Sequence, residues 1–169
     1  MQRCFDLIFS GTAILILSPL FVVIAVILKF SGEGEVFFLQ ERVGKNRQII
    51  KLFKFATMLK DSANIGTGTV TLHNDPRILP LGGFLRKTKI NELPQLLNIL
   101  VGDMSIIGPR PQTQRCFDSF PKNCKEVITK IRPGLSGVGS IVFRDEEILM
   151  LNREGAEVFY DDVIMPYKG

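Results

Sequence analysis

An uncharged apolar segment near the start of the chain, Leu7–Leu28, restricts the possible folds more than any other feature. As a straight helix rising about 1.5 Å per residue it would be roughly 33 Å long, enough to cross the hydrocarbon core of a bilayer. A helix also satisfies its own backbone hydrogen bonds, which lipid cannot do. The sequence therefore predicts a membrane helix here.

Ser18-Pro19 lies in the middle of this segment and leaves two membrane topologies open. Composition alone favours a plain transmembrane anchor. Proline, however, removes a backbone hydrogen bond and kinks a helix. Cationic residues flank the segment on both sides, at Arg3 and Lys29, so the charges indicate no inside–outside asymmetry. A helix that breaks at Ser18-Pro19 and returns to the face it entered fits both observations.

The composition points to an anionic partner. The formal net charge is +4, which favours a phosphorylated substrate, a membrane surface or nucleic acid. The three cysteines have no metal-ligand spacing and predict reduced thiols. Lysines and arginines shortly after the apolar segment favour contact with anionic headgroups. No pattern of a nucleic-acid-binding module is present, so we expect no nucleic acid among the partners.

Short β-branched and aromatic runs over residues 36–55, joined by Gly44 and Asn46, predict a β-hairpin. Two helical segments are expected later, over residues 112–131 with an interruption near Pro121, and over residues 145–160. Between them we expect a glycine-rich turn, IRPGLSGVGS. Residues 61–74 are expected to form a mobile loop. Asp75 is expected to cap the segment that follows or, alternatively, to help hold a cation.

The stretch Gly82–Pro111 concentrates the residues suited to chemistry. Leucines recur at helical spacing in INELPQLLNIL, which predicts one helix with Asn91 as its N-cap and Glu92 in its first turn. After it, Gly108-Pro109-Arg110-Pro111 predicts a rigid bend. Such a bend fixes the direction of the Arg110 guanidinium, which suits bidentate contact with phosphate.

The order of these motifs resembles the catalytic core of the monotopic phosphoglycosyl transferases, the bacterial sugar transferase family. The core matches are Leu85-Arg86-Lys87-Thr88, Glu92-Leu93-Pro94-Gln95-Leu96, Asn98, Gly102-Asp103-Met104-Ser105 and Gly108-Pro109-Arg110-Pro111. Further matches are Phe38, Gln40, Arg42, Gly44, Lys54-Phe55, Thr57-Met58, Asp75-Pro76-Arg77-Ile78, Arg132-Pro133-Gly134 and Ser136-Gly137. Ala56 departs from the family, which commonly has a basic residue there.

This resemblance implies an enzyme that transfers a phospho-sugar from a UDP-sugar to undecaprenyl phosphate and releases UMP, through a covalent phospho-sugar intermediate. This reaction is the first membrane step of glycan assembly. The family uses an Asp-Glu dyad with Mg²⁺, and its Asp is the nucleophile. The matched positions make Asn91 and Glu92 the catalytic and metal-binding candidates. The candidates for binding substrate or phosphate are Arg110, Arg86, Arg42, Lys54 and Arg132.

Asn91, where the family has Asp, is the departure with the greatest consequence. A carboxamide is a very poor nucleophile and a weaker, neutral metal ligand. Three explanations are open: a natural variant in which Glu92 or another carboxylate carries the chemistry, a deliberate substitution that traps a bound state, or a loss of activity. The alternative function is a non-catalytic relative that binds the same ligands or scaffolds glycan-assembly enzymes at the membrane.

The resemblance implies a helix-rich α+β fold in two parts. Residues 1–30 would form the re-entrant membrane helix hairpin, broken at Ser18 and Pro19. Residues 31–169 would form a small cytoplasmic catalytic domain, short at its C-terminus, with a β-hairpin and interfacial helices. The expected location is monotopic, on the cytoplasmic face of the bacterial inner membrane. The expected partners are a UDP-sugar, undecaprenyl phosphate, membrane lipids and a second copy of the chain in a homo-oligomer.

Overall fold

The computed structural model describes residues 1–65 and 75–142. The predicted helix over residues 145–160 and most of the predicted loop, residues 66–74, lie outside this range. The fold is the predicted helix-rich α+β type with small sheets. It divides into two compact units, one of residues 1–40 and 52–100, the other of residues 41–51 and the described residues from 101 onward.

Helix α1 extends from Gln2 to Phe30. By length and composition it could cross a membrane, and only 11% of its most apolar stretch is buried. Large apolar side chains are exposed along its middle, including Leu15 at 75% and Ile16 at 70%. A helix in the core of a soluble protein would bury such side chains, because their removal from water stabilises the fold. The predicted apolar helix is therefore present, with an apolar surface that the described protein leaves uncovered.

Helical conformation continues through Pro19. Proline has no N–H to donate to the carbonyl four residues earlier, which is that of Leu15. The Ser18 hydroxyl donates to this Leu15 carbonyl at 2.8 Å and so replaces the missing donor. At Ser18-Pro19 a side-chain hydrogen bond thus replaces one backbone hydrogen bond of the helix. That α1 re-enters the membrane face from which it starts stays a prediction.

Strands β1 (Phe37–Val43) and β2 (Ile49–Phe55) pair as the predicted hairpin. A 3-10 turn, Lys45–Arg47, joins them. Within it Asn46 has a φ of 56°, a left-handed conformation that Asn tolerates better than most residues. Arg47, with a φ of 61°, has the same conformation, so Asn46, which the sequence indicated, reverses the chain together with its neighbour.

The first unit has a core shared by several elements. It contains helices α2 (Gly82–Lys87) and α3 (Gln95–Val101) besides α1. One cluster of buried side chains joins α1, β2 and α2: Ile24, Leu28, Phe55 and Leu85. Glycine begins α2 because a Cβ at Gly82 would lie 2.1 Å from the Thr57 carbonyl oxygen. Helix α2 is thereby packed directly on the last third of α1.

The other end of α1 also contacts this unit, at α3. Arg3 donates from Nη1 to the carbonyl of Ile99 at 2.5 Å and from Nη2 to that of Leu100 at 2.7 Å. The last carbonyls of a helix have no intrahelical partner, and a cation there also interacts favourably with the helix dipole. Both ends of α1 are therefore held on the same compact unit.

The second unit contains a parallel pair of short strands, β3 (Ser105–Ile107) and β4 (Gly134–Ser136). Three short helices accompany them: α4 (Gln114–Asp118), α5 (Lys122–Ile128) and α6 (Val138–Val142). Helices α4 and α5 confirm the predicted helical segment and its interruption at Pro121.

Strand β4 corrects the expectation of a glycine-rich turn. The segment is extended and pairs with β3, with Ser105 opposite Gly134 and Ile107 opposite Ser136. A Cβ at Gly134 would lie 2.1 Å from the Gly108 backbone nitrogen. The glycine is thus explained by the close approach of two backbones and not by a chain reversal, a difference that a glycine count cannot reveal.

Candidate active site

Asn91 does not cap a helix. It lies in a 3-10 turn, Ile90–Glu92, and α3 begins only at Gln95. The prediction of one continuous helix with Asn91 at its N-cap is therefore wrong. Leucine spacing could not reveal the break, because a 3-10 turn followed by a helix keeps a similar apolar face. Pro94 directly precedes α3, a place that suits a residue without a backbone N–H.

The Asn91 side chain is buried but unsatisfied. The residue is 7% exposed, and among the described residues its Oδ1 has no hydrogen-bond partner. Leaving such an acceptor unpaired costs about 1–3 kcal/mol. A group kept at this cost is expected where a ligand supplies the missing partner.

Glu92 is paired with Lys54 of β2. The Lys54 Nζ lies 3.6 Å from the Glu92 Oε1, and the two side chains are 15% and 17% exposed. Charges this far removed from water are screened less than surface charges. Lys54, Asn91 and Glu92 are called the dyad site below. Three of the predicted site residues therefore lie in one place, because Lys54 pairs with Glu92 and Asn91 precedes Glu92 in the chain.

Arg86 belongs to the same unit as the dyad site. Its helix, α2, contacts the 3-10 turn, and its Nη1 lies 3.6 Å from the Met58 sulfur. The half-buried Arg86 is thus on an element that touches the dyad site. Gln40 of this unit was matched to the family but not predicted as a site residue. Its Oε1 is also buried without a hydrogen-bond partner in the described part of the chain.

Asp75 and Arg77 form a buried ion pair that supports this unit. Asp75 Oδ1 accepts from the Arg77 backbone N at 3.0 Å and from its Nε at 2.8 Å, and Oδ2 accepts from Nη2 at 2.5 Å. The hydrogen bond with Asp75 raises the pKa of Arg77 above its usual value. The predicted capping role is confirmed. The guanidinium engages both carboxylate oxygens, which leaves little reason to assign this carboxylate to a cation.

Arg77 also fixes the start of the segment that was predicted to be a mobile loop. Its Nη1 donates to the carbonyls of Ser62 and Ile65, at 2.6 and 2.7 Å. Through these bonds the chain on both sides of residues 66–74 is held by one side chain.

Arg110 lies in the second unit, exposed on the bend after β3. Two backbone hydrogen bonds hold this bend against β4: Gly108 N to Ser136 O at 3.0 Å, and Gly134 N to Pro109 O at 2.9 Å. The predicted rigidity of the bend thus has a second cause besides proline. A cavity of about 350 Å³ opens beside it, lined mainly by apolar residues that include Ile107, Phe120, Ile131 and Val138.

Arg132 and Arg42 are also in the second unit. The Arg132 Nε donates to the Gly102 carbonyl at 2.8 Å, where Gly102 has a φ of 106°. Arg132 therefore stabilises the turn after α3. Arg42 is half-buried on β1. The contribution of these arginines to phosphate binding stays a prediction.

The oxygens of the dyad site suit a metal ion that is bound jointly by the protein and a substrate, and not one that is held by protein ligands alone. In residues 1–65 and 75–142, no group of three or more His, Cys, Asp or Glu side chains could hold a metal. The dyad site offers the Glu92 carboxylate and the unsatisfied amide oxygen of Asn91. Mg²⁺ commonly binds one or two carboxylates together with substrate phosphates and water. These two oxygens fit an ion that takes its other ligands from a substrate.

Comparison with known proteins decides the family. The model of the family described as bacterial sugar transferase matches residues 1–164. The chain belongs to this family. It is 36% identical to the exopolysaccharide production protein ExoY of Rhizobium meliloti strain 1021 over 159 residues, 86% of this chain and 70% of ExoY. The predicted family is confirmed.

Two other relatives show how much of longer proteins the chain represents. It is 44% identical over 110 residues to the exopolysaccharide production protein PSS of Rhizobium leguminosarum bv. phaseoli, 65% of this chain and 55% of that protein. It is 36% identical over 143 residues to the UDP-glucose:undecaprenyl-phosphate glucose-1-phosphate transferase of Escherichia coli K12, 83% of this chain and 31% of the enzyme. The chain thus spans about half of PSS and a third of the enzyme.

Proposed function

We propose that this sugar transferase family member is a phosphoglycosyl transferase. It moves a sugar 1-phosphate from a UDP-sugar to undecaprenyl phosphate and releases UMP, as a membrane step of glycan assembly. The observation that carries the proposal is the dyad site, with a buried Asn91 and a half-buried Glu92 at the family's Asp-Glu positions and an unsatisfied oxygen on Asn91. The Escherichia coli relative, whose name states this type of reaction, supports the acceptor and the donor class.

The reaction proceeds in two displacements. In the first, an ionised oxygen of the enzyme attacks the phosphorus next to the sugar, and the bond from that phosphorus to UMP breaks. In the second, an oxygen of undecaprenyl phosphate attacks the same phosphorus and the enzyme oxygen leaves. Asn91 has no ionised oxygen, so the first displacement is slow in this chain while donor binding is retained.

We propose Mg²⁺ as the cofactor, held by Glu92 and Asn91 together with the donor diphosphate. When bound, it neutralises charge on the diphosphate. Lys54 and Arg86 supply positive charge from the chain itself. They orient the donor and stabilise the negative charge that develops as UMP leaves.

The test is UMP release from a panel of UDP-sugars, with Mg²⁺ and with or without undecaprenyl phosphate. Release that depends on the acceptor supports the transferase. Donor binding without release, both by this chain and by its Asn91→Asp variant, would favour the alternative, a non-catalytic relative that binds ligand or scaffolds glycan-assembly enzymes.

Arg110→Lys is expected to weaken UDP binding about thirtyfold, or about 2 kcal/mol. The variant keeps the charge but loses the planar pair of donors that contacts two phosphate oxygens. Isothermal titration with UDP measures the effect, and Arg115→Lys, at an exposed arginine of α4, is the matched control. Equal UDP affinity of the Arg110 variant and the native chain would assign Arg110 to structure.

We further propose that α1 is re-entrant and that the protein is monotopic on the cytoplasmic face of the bacterial inner membrane. Arg3 near its first residue and Leu28 near its last both contact the first unit. A spanning helix would place its ends on opposite sides of a hydrocarbon core about 30 Å thick. Two ends held on one compact unit favour the same side for both.

Cysteine labelling is expected to find both ends of α1 accessible only from the cytoplasm. Cysteines are introduced at Gln2 and at Ser31 in a background in which Cys4, Cys116 and Cys124 are replaced by serine. Labelling of the two positions from opposite sides contradicts the re-entrant model. Pro19→Ala should shift the population toward a spanning helix, because it removes an interior penalty of about 3 kcal/mol.

A further inference from the structure

We propose that Lys54 is a positioning residue that competes with a divalent cation for the Glu92 carboxylate. Binding of the donor diphosphate draws the Lys54 ammonium away and thereby makes Glu92 available to the cation. The inference rests on the proposed function, because it assigns the order in which this site takes up its two ligands.

The ion pair is held by backbone anchors on both sides. On the lysine side, the neighbouring Phe53 N donates to Asn98 Oδ1 of α3 at 3.0 Å, and Phe55 is buried at 1% exposure. On the glutamate side, the Glu92 N donates to the Lys89 carbonyl at 3.1 Å. The backbones on both sides of the pair are therefore fixed, and the side chains, 15% and 17% exposed, bring Nζ and Oε1 to 3.6 Å.

The ion pair between Lys54 and Glu92 determines how strongly the dyad site attracts a cation. Asn91 is neutral, so Glu92 and Lys54 together carry no net charge. A hard cation such as Mg²⁺ or Mn²⁺ is attracted to this site more strongly when the ammonium no longer compensates the carboxylate. A diphosphate carries more negative charge than the Glu92 carboxylate, so the Lys54 ammonium can pair with it in place of Glu92. Each ligand thus favours the other through Lys54, a reciprocal coupling.

This mechanism predicts effects of opposite sign for one substitution. Lys54→Met removes the ammonium that lies 3.6 Å from the Glu92 carboxylate, so Mn²⁺ should bind the nucleotide-free protein about tenfold more tightly. The same variant lacks an ammonium for phosphate, so UDP should bind about tenfold more weakly when metal is absent. A lysine with a merely structural role would weaken both ligands or neither.

Glu92→Gln should give the reverse result. Without the carboxylate, Mn²⁺ binding is lost. Phosphate then no longer competes with Glu92 for the Lys54 ammonium, so UDP in EDTA should bind more tightly than to the native chain. Lys54→Arg keeps the positive charge and should leave the nucleotide-free Mn²⁺ affinity within about threefold of the native value.

The experiment measures free Mn²⁺ by electron paramagnetic resonance without nucleotide, and UDP binding by calorimetry in EDTA, on the full chain in detergent. Lys60→Met is the matched control, because it removes the same charge from an exposed ion pair with Glu35, at 3.2 Å. It should change neither affinity. Circular dichroism establishes that each variant is folded. If Lys54→Met does not fold, Glu92→Gln still tests the competition between Lys54 and the cation.

Opposite shifts in Lys54→Met, with the reverse in Glu92→Gln, support the proposal. Shifts in the same direction, an unchanged Mn²⁺ affinity, or no Mn²⁺ binding by any variant overturn it. The assay uses neither sugar nor acceptor. Opposite shifts without sugar transfer by either this chain or its Asn91→Asp variant would therefore refute the proposed function and leave the competition for Glu92 standing.

Discussion

Asn91→Asp is expected to increase phospho-sugar transfer on the order of a thousandfold or more, because it supplies the ionised oxygen that the first displacement requires. The change is nearly isosteric. It places the carboxylate where an amide oxygen is already buried without a hydrogen-bond partner in the described protein. The variant therefore adds a nucleophile and hardly alters the shape of the site.

The same substitution should make the protein depend on its ligands. Asn91 is only 7% exposed, and a buried charge next to Glu92 costs free energy unless it is compensated. We expect the Asn91→Asp variant to unfold at a lower temperature than the native chain without Mg²⁺, and to regain stability when Mg²⁺ and UDP are added.

Intact-protein mass spectrometry after mixing with UDP-sugar and no acceptor gives the sharpest measurement. A phospho-sugar adduct is expected on the Asn91→Asp variant and not on the native chain. Asn64→Asp, at an exposed position of the same unit, is the control for the charge change and should give no adduct. An adduct of similar yield on the native chain that maps to Glu92 would contradict the assignment.

Arg77→Met is expected to destabilise the protein by about 3–5 kcal/mol, the usual cost of removing one partner from a buried ion pair. The variant takes the guanidinium away from the Asp75 carboxylate, whose side chain is only 3% exposed. It also removes the donor from the carbonyls of Ser62 and Ile65. Equilibrium unfolding in detergent by urea measures the loss.

Two controls separate the buried charge from the lost side chain. Asp75→Leu combined with Arg77→Met removes both charges and should cost less than Arg77→Met alone. Lys60→Met breaks an exposed pair, with side chains 68% and 51% exposed, and should cost under about 1 kcal/mol. A loss of that small size in Arg77→Met would show that the Asp75–Arg77 pair does not support the unit.

Features that depend on neighbouring residues could be predicted from the sequence. The apolar run of α1, the hairpin with its turn at Asn46, and the separation of α4 from α5 at Pro121 follow from hydrophobic period and from local backbone preferences. The family could also be predicted, because its motifs are contiguous in the chain. One failure is local too: asparagine is a common N-cap residue, but the turn at Ile90–Glu92 delays the helix to Gln95. The other, at β4, arises from pairing with a strand distant in sequence.

Tertiary structure alone decided which charges meet. Arg3 contacts carbonyls 96 and 97 residues away, and Arg132 contacts one 30 residues away. Lys54, which the sequence assigns to phosphate, pairs with Glu92. An ionised side chain accepts any opposite charge or carbonyl within reach, so its type does not specify a partner. The partner is fixed when burial of apolar side chains, such as Phe55 and Leu85, brings distant segments together.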